Sequence, residues 1–142
     1  MASGITLKVP LTVTPEDGHY ELLKTYSESV KQNLKMLLLT SQGERIMTPT
    51  YGVGLKKYLF ELANPATYAV ITEIISNQIR LFLPYVRLTN VLVSDSQSID
   101  PENYYINSNN SVSVKIEYSI STFNNYRDFL VLSLTNSSTN TI

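Results

Sequence analysis

The sequence predicts an α+β fold in a single domain: an N-terminal arm, two to three helices, then a small antiparallel sheet. Two patterns and their order carry that reading. Apolar residues recur at three- and four-residue spacing between Val30 and Phe82, the period of amphipathic helices. Val112, Val114, Ile116, Tyr118 and Ile120 then alternate strictly with Ser113, Lys115, Glu117 and Ser119, the period of a strand with one wet face. Helices grouped ahead of strands point to α+β rather than to alternating βαβ units. A length of 142 residues fits one domain, and a hydrophobic fraction of 43% can build a core.

Residues 1–25 read as an extended arm. Ile5, Leu7 and Val9 alternate with polar residues until Pro10 and the Pro15–Gly18 turn signal interrupt them. Thr25-Tyr-Ser-Glu28 is a capping box, with a hydroxyl at the helix start and a Glu three residues on. Val30, Leu34, Leu37 and Leu38 follow as one apolar stripe, and Ser41-Gln-Gly43 ends the run. Pro49 to Gly54 is a punctuated loop. A short helix follows it, with Leu55, Leu59 and Leu62 inward and Lys56 and Lys57 outward.

Asn64-Pro65 opens a longer helix, because Asn caps and Pro suits the first helical position. Its inner face is Tyr68, Ile71, Ile74, Ile75, Gln78, Ile79 and Phe82, and Pro84 stops it. Beyond Pro84 the chain turns β-branched and aromatic, giving a strand over 85–93. Polar turns follow at Asp100-Pro101 and Asn107 to Asn110. The alternating strand comes next, and Asn124-Asn125 joins it to a neighbour over Phe129 to Leu134. The domain therefore spans 26–134, with a loose Ser/Thr/Asn-rich tail at 135–142.

Composition narrows the function. Net charge is −1, which argues against a nucleic-acid protein, since phosphate contacts need a basic stripe. There is no cysteine and one histidine, His19. No disulfide, thiolate zinc site, cysteine nucleophile or multi-histidine metal site is available, and the lack of cysteine suits a cytosolic origin. The N-terminus lacks the charged-then-apolar pattern of a signal peptide, and no stretch reaches the roughly 20 apolar residues of a membrane span.

One stretch is dense in special residues: Leu37 to Glu61, LLLTSQGERIMTPTYGVGLKKYLFE. Glu44 is its candidate general acid. A glycosidase needs a second carboxylate across the sugar, and Glu28 and Glu61 are distant in sequence. The simpler role for Glu44 is to pair with a cation or cap a backbone amide at a turn. Gly52-Val-Gly54 lacks the third glycine and the following Gly-Lys-Ser/Thr of phosphate loops, so it reads as a tight turn entering a helix. His19 has no evident Ser and Asp partners for a triad. The ten tyrosines are spread widely and suit half-buried positions and interfaces.

The same stretch resembles the signature of the small baseplate wedge proteins of contractile phage tails, a family that includes the baseplate assembly protein W and a type VI secretion baseplate subunit. The matching residues are Leu38, Leu39, Thr40, Gly43, Glu44, Arg45, Pro49, Tyr51, Gly52, Leu55, Leu59, Phe60 and Glu61. Weaker likeness covers roughly 26–134. Many members carry Glu-Pro-Arg after the long helix; here the chain reads Leu83-Pro84-Tyr85, and only Pro84 matches.

The resemblance implies a structural, non-enzymatic role in the inner baseplate. It implies other wedge proteins and the tail sheath subunit as partners, with no nucleic acid, membrane, small-molecule substrate, cofactor or metal. The implied location is the virion tail baseplate, reached through the host cytoplasm during assembly. Gly43 and Gly52 would shape two turns, Pro49 would stiffen the link, Glu44 and Arg45 would anchor it, and Leu55, Leu59 and Phe60 would dock the second helix. Short strands leave open edges, so the expected interface is the C-terminal sheet, through Val112, Val114, Ile116, Tyr118, Ile120, Phe129 and Val131, together with the arm from Ile5 to Leu11. The competing readings are a muralytic enzyme with Glu44 as acid and a subunit of another contractile machine.

Overall fold

The computed structural model describes residues 4–13, 19–61, 64–94, 111–121 and 126–135. The elements, in order, are β1 (Thr6–Leu7), β2 (Leu22–Leu23), α1 (Tyr26–Leu39), a 3-10 helix (Leu55–Phe60), α2 (Pro65–Phe82), β3 (Val86–Ser94), β4 (Ser111–Ile120) and β5 (Tyr126–Thr135). This is the α+β arrangement. The turn signals at Pro15–Gly18, Asp100-Pro101, Asn107–Asn110 and Asn124-Asn125, the inward Leu62, and residues 136–142 of the tail lie outside the described residues. The chain divides into two units, Met1–Met36 and Leu37–Ile142.

In the first unit the arm doubles back on itself. β1 pairs antiparallel with β2, Thr6 opposite Leu23 and Leu7 opposite Leu22. Lys8 N donates to Glu21 O at 3.0 Å, and Lys8 Nζ meets Glu21 Oε1 at 2.7 Å. The Gln32 side chain of α1 holds the outer strand: its Nε2 donates to Leu7 O at 2.9 Å and its Oε1 accepts from Val9 N at 2.9 Å. One amide thus imitates the next strand of the ladder. The start of α1 carries the capping box in both directions, Glu28 N to Thr25 Oγ1 and Thr25 N to Glu28 Oε2, each 3.4 Å.

In the second unit the sheet order is β3-β4-β5, antiparallel throughout. β4 is the middle strand. Its alternation buries Val112, Val114, Ile116, Tyr118 and Ile120 to between 0% and 7% exposure, while Lys115 and Glu117 pair at 3.0 Å on the opposite, wetter side. α2 packs against β3, and the 3-10 helix against β4 and β5. Asn64 caps α2, its side chain accepting from Thr67 N at 2.7 Å, with Pro65 at the first turn. Ile71, Ile75 and Ile79 are at most 1% exposed; each such side chain contributes about 1.5–3 kcal/mol on burial.

α2 ends at Phe82, and Leu83 to Val86 turn the chain into β3, with Val86 N bonded to Leu83 O at 2.9 Å. β5 begins at Tyr126, three residues before the predicted start, and runs to Thr135, one residue into the expected tail. Among the described residues, no helix is long and apolar enough to cross a membrane.

Candidate functional site

The signature stretch folds as a loop laid against the end of α1. Two glycines make that approach feasible. Gly52 has φ 111°, and a Cβ there would run into the backbone oxygen of Thr40. Gly54, at φ 68°, leaves a Cβ only 3.0 Å from Ser41 Oγ. With both side chains absent, segment 52–54 lies beside residues 40–41, and Val53 N donates to Leu37 O at 3.0 Å. A helix end leaves carbonyls without intrahelical partners, and a distant segment here satisfies one of them.

Glu44 belongs to this backbone arrangement. Its carboxylate accepts from Ser41 N at 2.8 Å, while Glu44 N donates to Ser41 O at 3.2 Å. Gly43, at φ 89°, donates its N–H to Pro49 O at 2.8 Å and closes the loop at its base. The Arg45 guanidinium stacks 3.9 Å above the Tyr51 ring. That ring meets Phe82 edge-on at a centroid distance of 5.0 Å. Burial raises the Tyr51 hydroxyl pKa above its ordinary value, the Arg45 charge opposes the rise and Tyr85 adds to it.

The centre of the loop is held by a residue that the sequence placed on the inner face of α2 without a binding role. Gln78, on the apolar face of α2, is 7% exposed. Its Oε1 accepts from Gly52 N at 3.1 Å and its Nε2 donates to Thr50 O at 3.0 Å. A lone amide in an Ile-rich stripe was the available signal, since a buried amide needs partners. Ser121 was missed as well. Its N and Oγ both donate to Tyr85 O at 3.1 Å, tying the turn after Pro84 to the end of β4.

Leu38 and Leu55 are fully buried and Leu59 is 9% exposed, whereas Leu39 and Thr40 are half-buried. Pro49 and Glu61 are exposed. Phe60 departs from the expectation that it docks the second helix: it is 73% exposed. Leu55–Phe60 is 3-10 rather than α, and its buried residues are Leu55, Tyr58 and Leu59.

The expected interface needs a similar correction. Val112, Val114, Ile116, Tyr118 and Ile120 lie on the middle strand and are buried inside this chain, so they are not free surface. Phe129 and Val131 lie on β5 and are 57% and 47% exposed. They stand opposite Glu117 and Lys115 on the wet side of the sheet. In the described sheet both β3 and β5 are edges. β3 carries an irregularity between Leu88 and Asn90, whereas β5 keeps unbroken register with β4 from Tyr126 to Thr135. Ile5, Leu7, Val9 and Leu11 of the arm are 42–59% exposed.

This geometry coincides with a family pattern. The model of the family Baseplate wedge protein gp25 matches residues 24–125. The chain belongs to that family. No curated protein matches it. Three solved structures are similar to this wedge-family chain. A Geobacter sulfurreducens protein described as a tail lysozyme is 23% identical with a TM-score of 0.65, covering 81% of this chain and 95% of that one. A chain of the anti-feeding prophage baseplate is 26% identical with a TM-score of 0.62, covering 81% and 83%. A chain of the type VI secretion baseplate complex is 15% identical with a TM-score of 0.56, covering 77% and 92%. The first and third likenesses speak to the fold alone.

Proposed function

We propose that this wedge-family protein is a structural subunit of the baseplate of a contractile tail, where it joins inner wedge proteins and offers the sheath a sheet edge to extend. The observation that carries this reading is β5: ten residues in regular register with β4, unpaired on the other side in the described sheet, with Phe129 and Val131 beside the open backbone row. Such an edge is a template for a strand from another chain. The β3 edge is less suited, because its irregularity interrupts the ladder. Membership of the family and the likeness to the anti-feeding prophage baseplate support the location.

The protein works by shape and pairing rather than by turnover. Glu44, the one candidate acid in the signature, already accepts a backbone hydrogen bond within its own turn. The function is tested by co-expressing the chain with the other wedge subunits and the sheath subunit of its own tail. A stoichiometric complex is expected, and its sheath contact should weaken in F129K/V131K while the isolated variant keeps its fold. A chain that stays monomeric beside all of these subunits would refute the proposal.

A further inference from the structure

The loop tip is the most exposed apolar feature among the described residues. Ile46 is 94% exposed and Met47 95%. They occupy the two central positions of a turn closed by Thr48 N to Arg45 O at 3.3 Å. That turn sits on a tied base: Gly43 N to Pro49 O at 2.8 Å, Ser41 N to Glu44 Oε2 at 2.8 Å, and Gln78 across Thr50 and Gly52. The chain thus spends a network of hydrogen bonds on holding two large apolar side chains out in water. Nothing in the fold of the described chain uses them.

We propose that Ile46 and Met47 form a preorganised apolar knob that inserts into a nonpolar socket on a neighbouring baseplate subunit. The knob rests on the baseplate reading above and names a second contact distinct from the β5 edge. Preorganisation removes the ordering cost that a flexible loop would incur on docking, so the burial of two side chains appears as affinity. An unbranched thioether beside a branched side chain also lets the tip adapt to an irregular cavity.

Charge describes the socket's rim. Arg45 is exposed beside the knob, with its guanidinium carbon 3.9 Å from the Tyr51 ring centroid, so its positive charge is presented at the base of the tip. The occupant is therefore a nonpolar pocket with a carboxylate or carbonyl at its margin. A second copy meeting this one knob to knob does not fit. A knob is convex, and two knobs meeting tip to tip would bury far less than the roughly 800 Å² per partner of a stable dimer.

The test compares wild-type chain, I46S/M47S and I46L/M47L for binding to the purified assembly of the remaining wedge subunits by biolayer interferometry, with thermal unfolding of each chain measured alongside. Unfolding should be the same in all three, because both positions face solvent. The serine variant should bind roughly a hundredfold more weakly, as expected for the loss of two central apolar anchors. The leucine variant should bind within about threefold of wild type, since it keeps apolar bulk. Serine-variant binding within about threefold of wild type would overturn the knob and leave the baseplate reading standing. Failure of the wild-type chain to bind the assembly would overturn the baseplate reading itself, and the knob with it. Sedimentation that shows a wild-type dimer abolished by I46S/M47S would also overturn the proposal, by making the occupant a second copy.

Discussion

Replacing Gly52 with alanine tests whether the signature is a backbone device. Two costs fall on the same atom. At φ 111° an L residue is strained, and a Cβ would meet the backbone oxygen of Thr40, which the end of α1 holds in place. Strain of this kind costs about 1–3 kcal/mol. Relief requires residue 52 to move away, which stretches the bond from Gly52 N to Gln78 Oε1. Gln78 is buried, and an unsatisfied buried polar group costs a further 1–3 kcal/mol or so.

Together G52A should lose about 2–6 kcal/mol, a large part of the roughly 5–15 kcal/mol that holds a domain. G43A is the matched control. Its φ is 89°, yet nothing lies within 4 Å of a Cβ there, so only the left-handed strain of about 1–2 kcal/mol applies. Urea unfolding followed by far-ultraviolet circular dichroism reads both. Equal losses, or a G52A loss below about 1 kcal/mol, would refute the claim that close approach of segment 52–54 to the end of α1 dictates glycine.

Further outcomes follow from other side chains. The Tyr118 hydroxyl is buried with no hydrogen-bond partner among the described residues, so Tyr118→Phe should leave stability unchanged or raise it by up to about 1 kcal/mol in chemical denaturation. Its pKa is pushed up by burial first, then by Asp128 and Tyr126. A raised folded-state pKa gives stability that is complete below the unfolded value of about 10 and is lost as pH rises above it. Wild type should therefore lose stability more steeply above about pH 10 than Tyr118→Phe does. Gln32→Ala removes the clamp on Leu7 and Val9, so hydrogen exchange at Val9 N should speed up while Gly52 N stays protected. Glu44→Gln keeps an acceptor for Ser41 N and should leave peptidoglycan zymograms as blank as wild type; clearing by wild type that the variant loses would restore the muralytic reading.

Much of this architecture was legible because local signals agreed with one another. The capping box at Thr25, the Asn64-Pro65 start and the stop at Pro84 each satisfy or break backbone bonds within a few residues, so sequence alone exposes them. The alternation in β4 revealed a buried face but not what buried it. An intramolecular core and an intermolecular interface leave the same period-two pattern, and for that reason five core residues were read as interface. Phe60 departs from expectation because the apolar end of so short a run does not show which side of the turn faces the core, and its side chain is 73% exposed. The roles of Gln78, Gln32 and Ser121 depend on partners 23 to 36 residues away, beyond the reach of any local pattern.

In the proposed role this chain acts as a building block through the open edge of its sheet. Cryo-electron microscopy of the intact tail tests it most directly. Density for the chain is expected in the inner baseplate, with a strand from a neighbouring subunit hydrogen-bonded along Tyr126–Thr135. A β5 edge left bare to solvent in the assembled tail, or the chain found away from the baseplate, would contradict it.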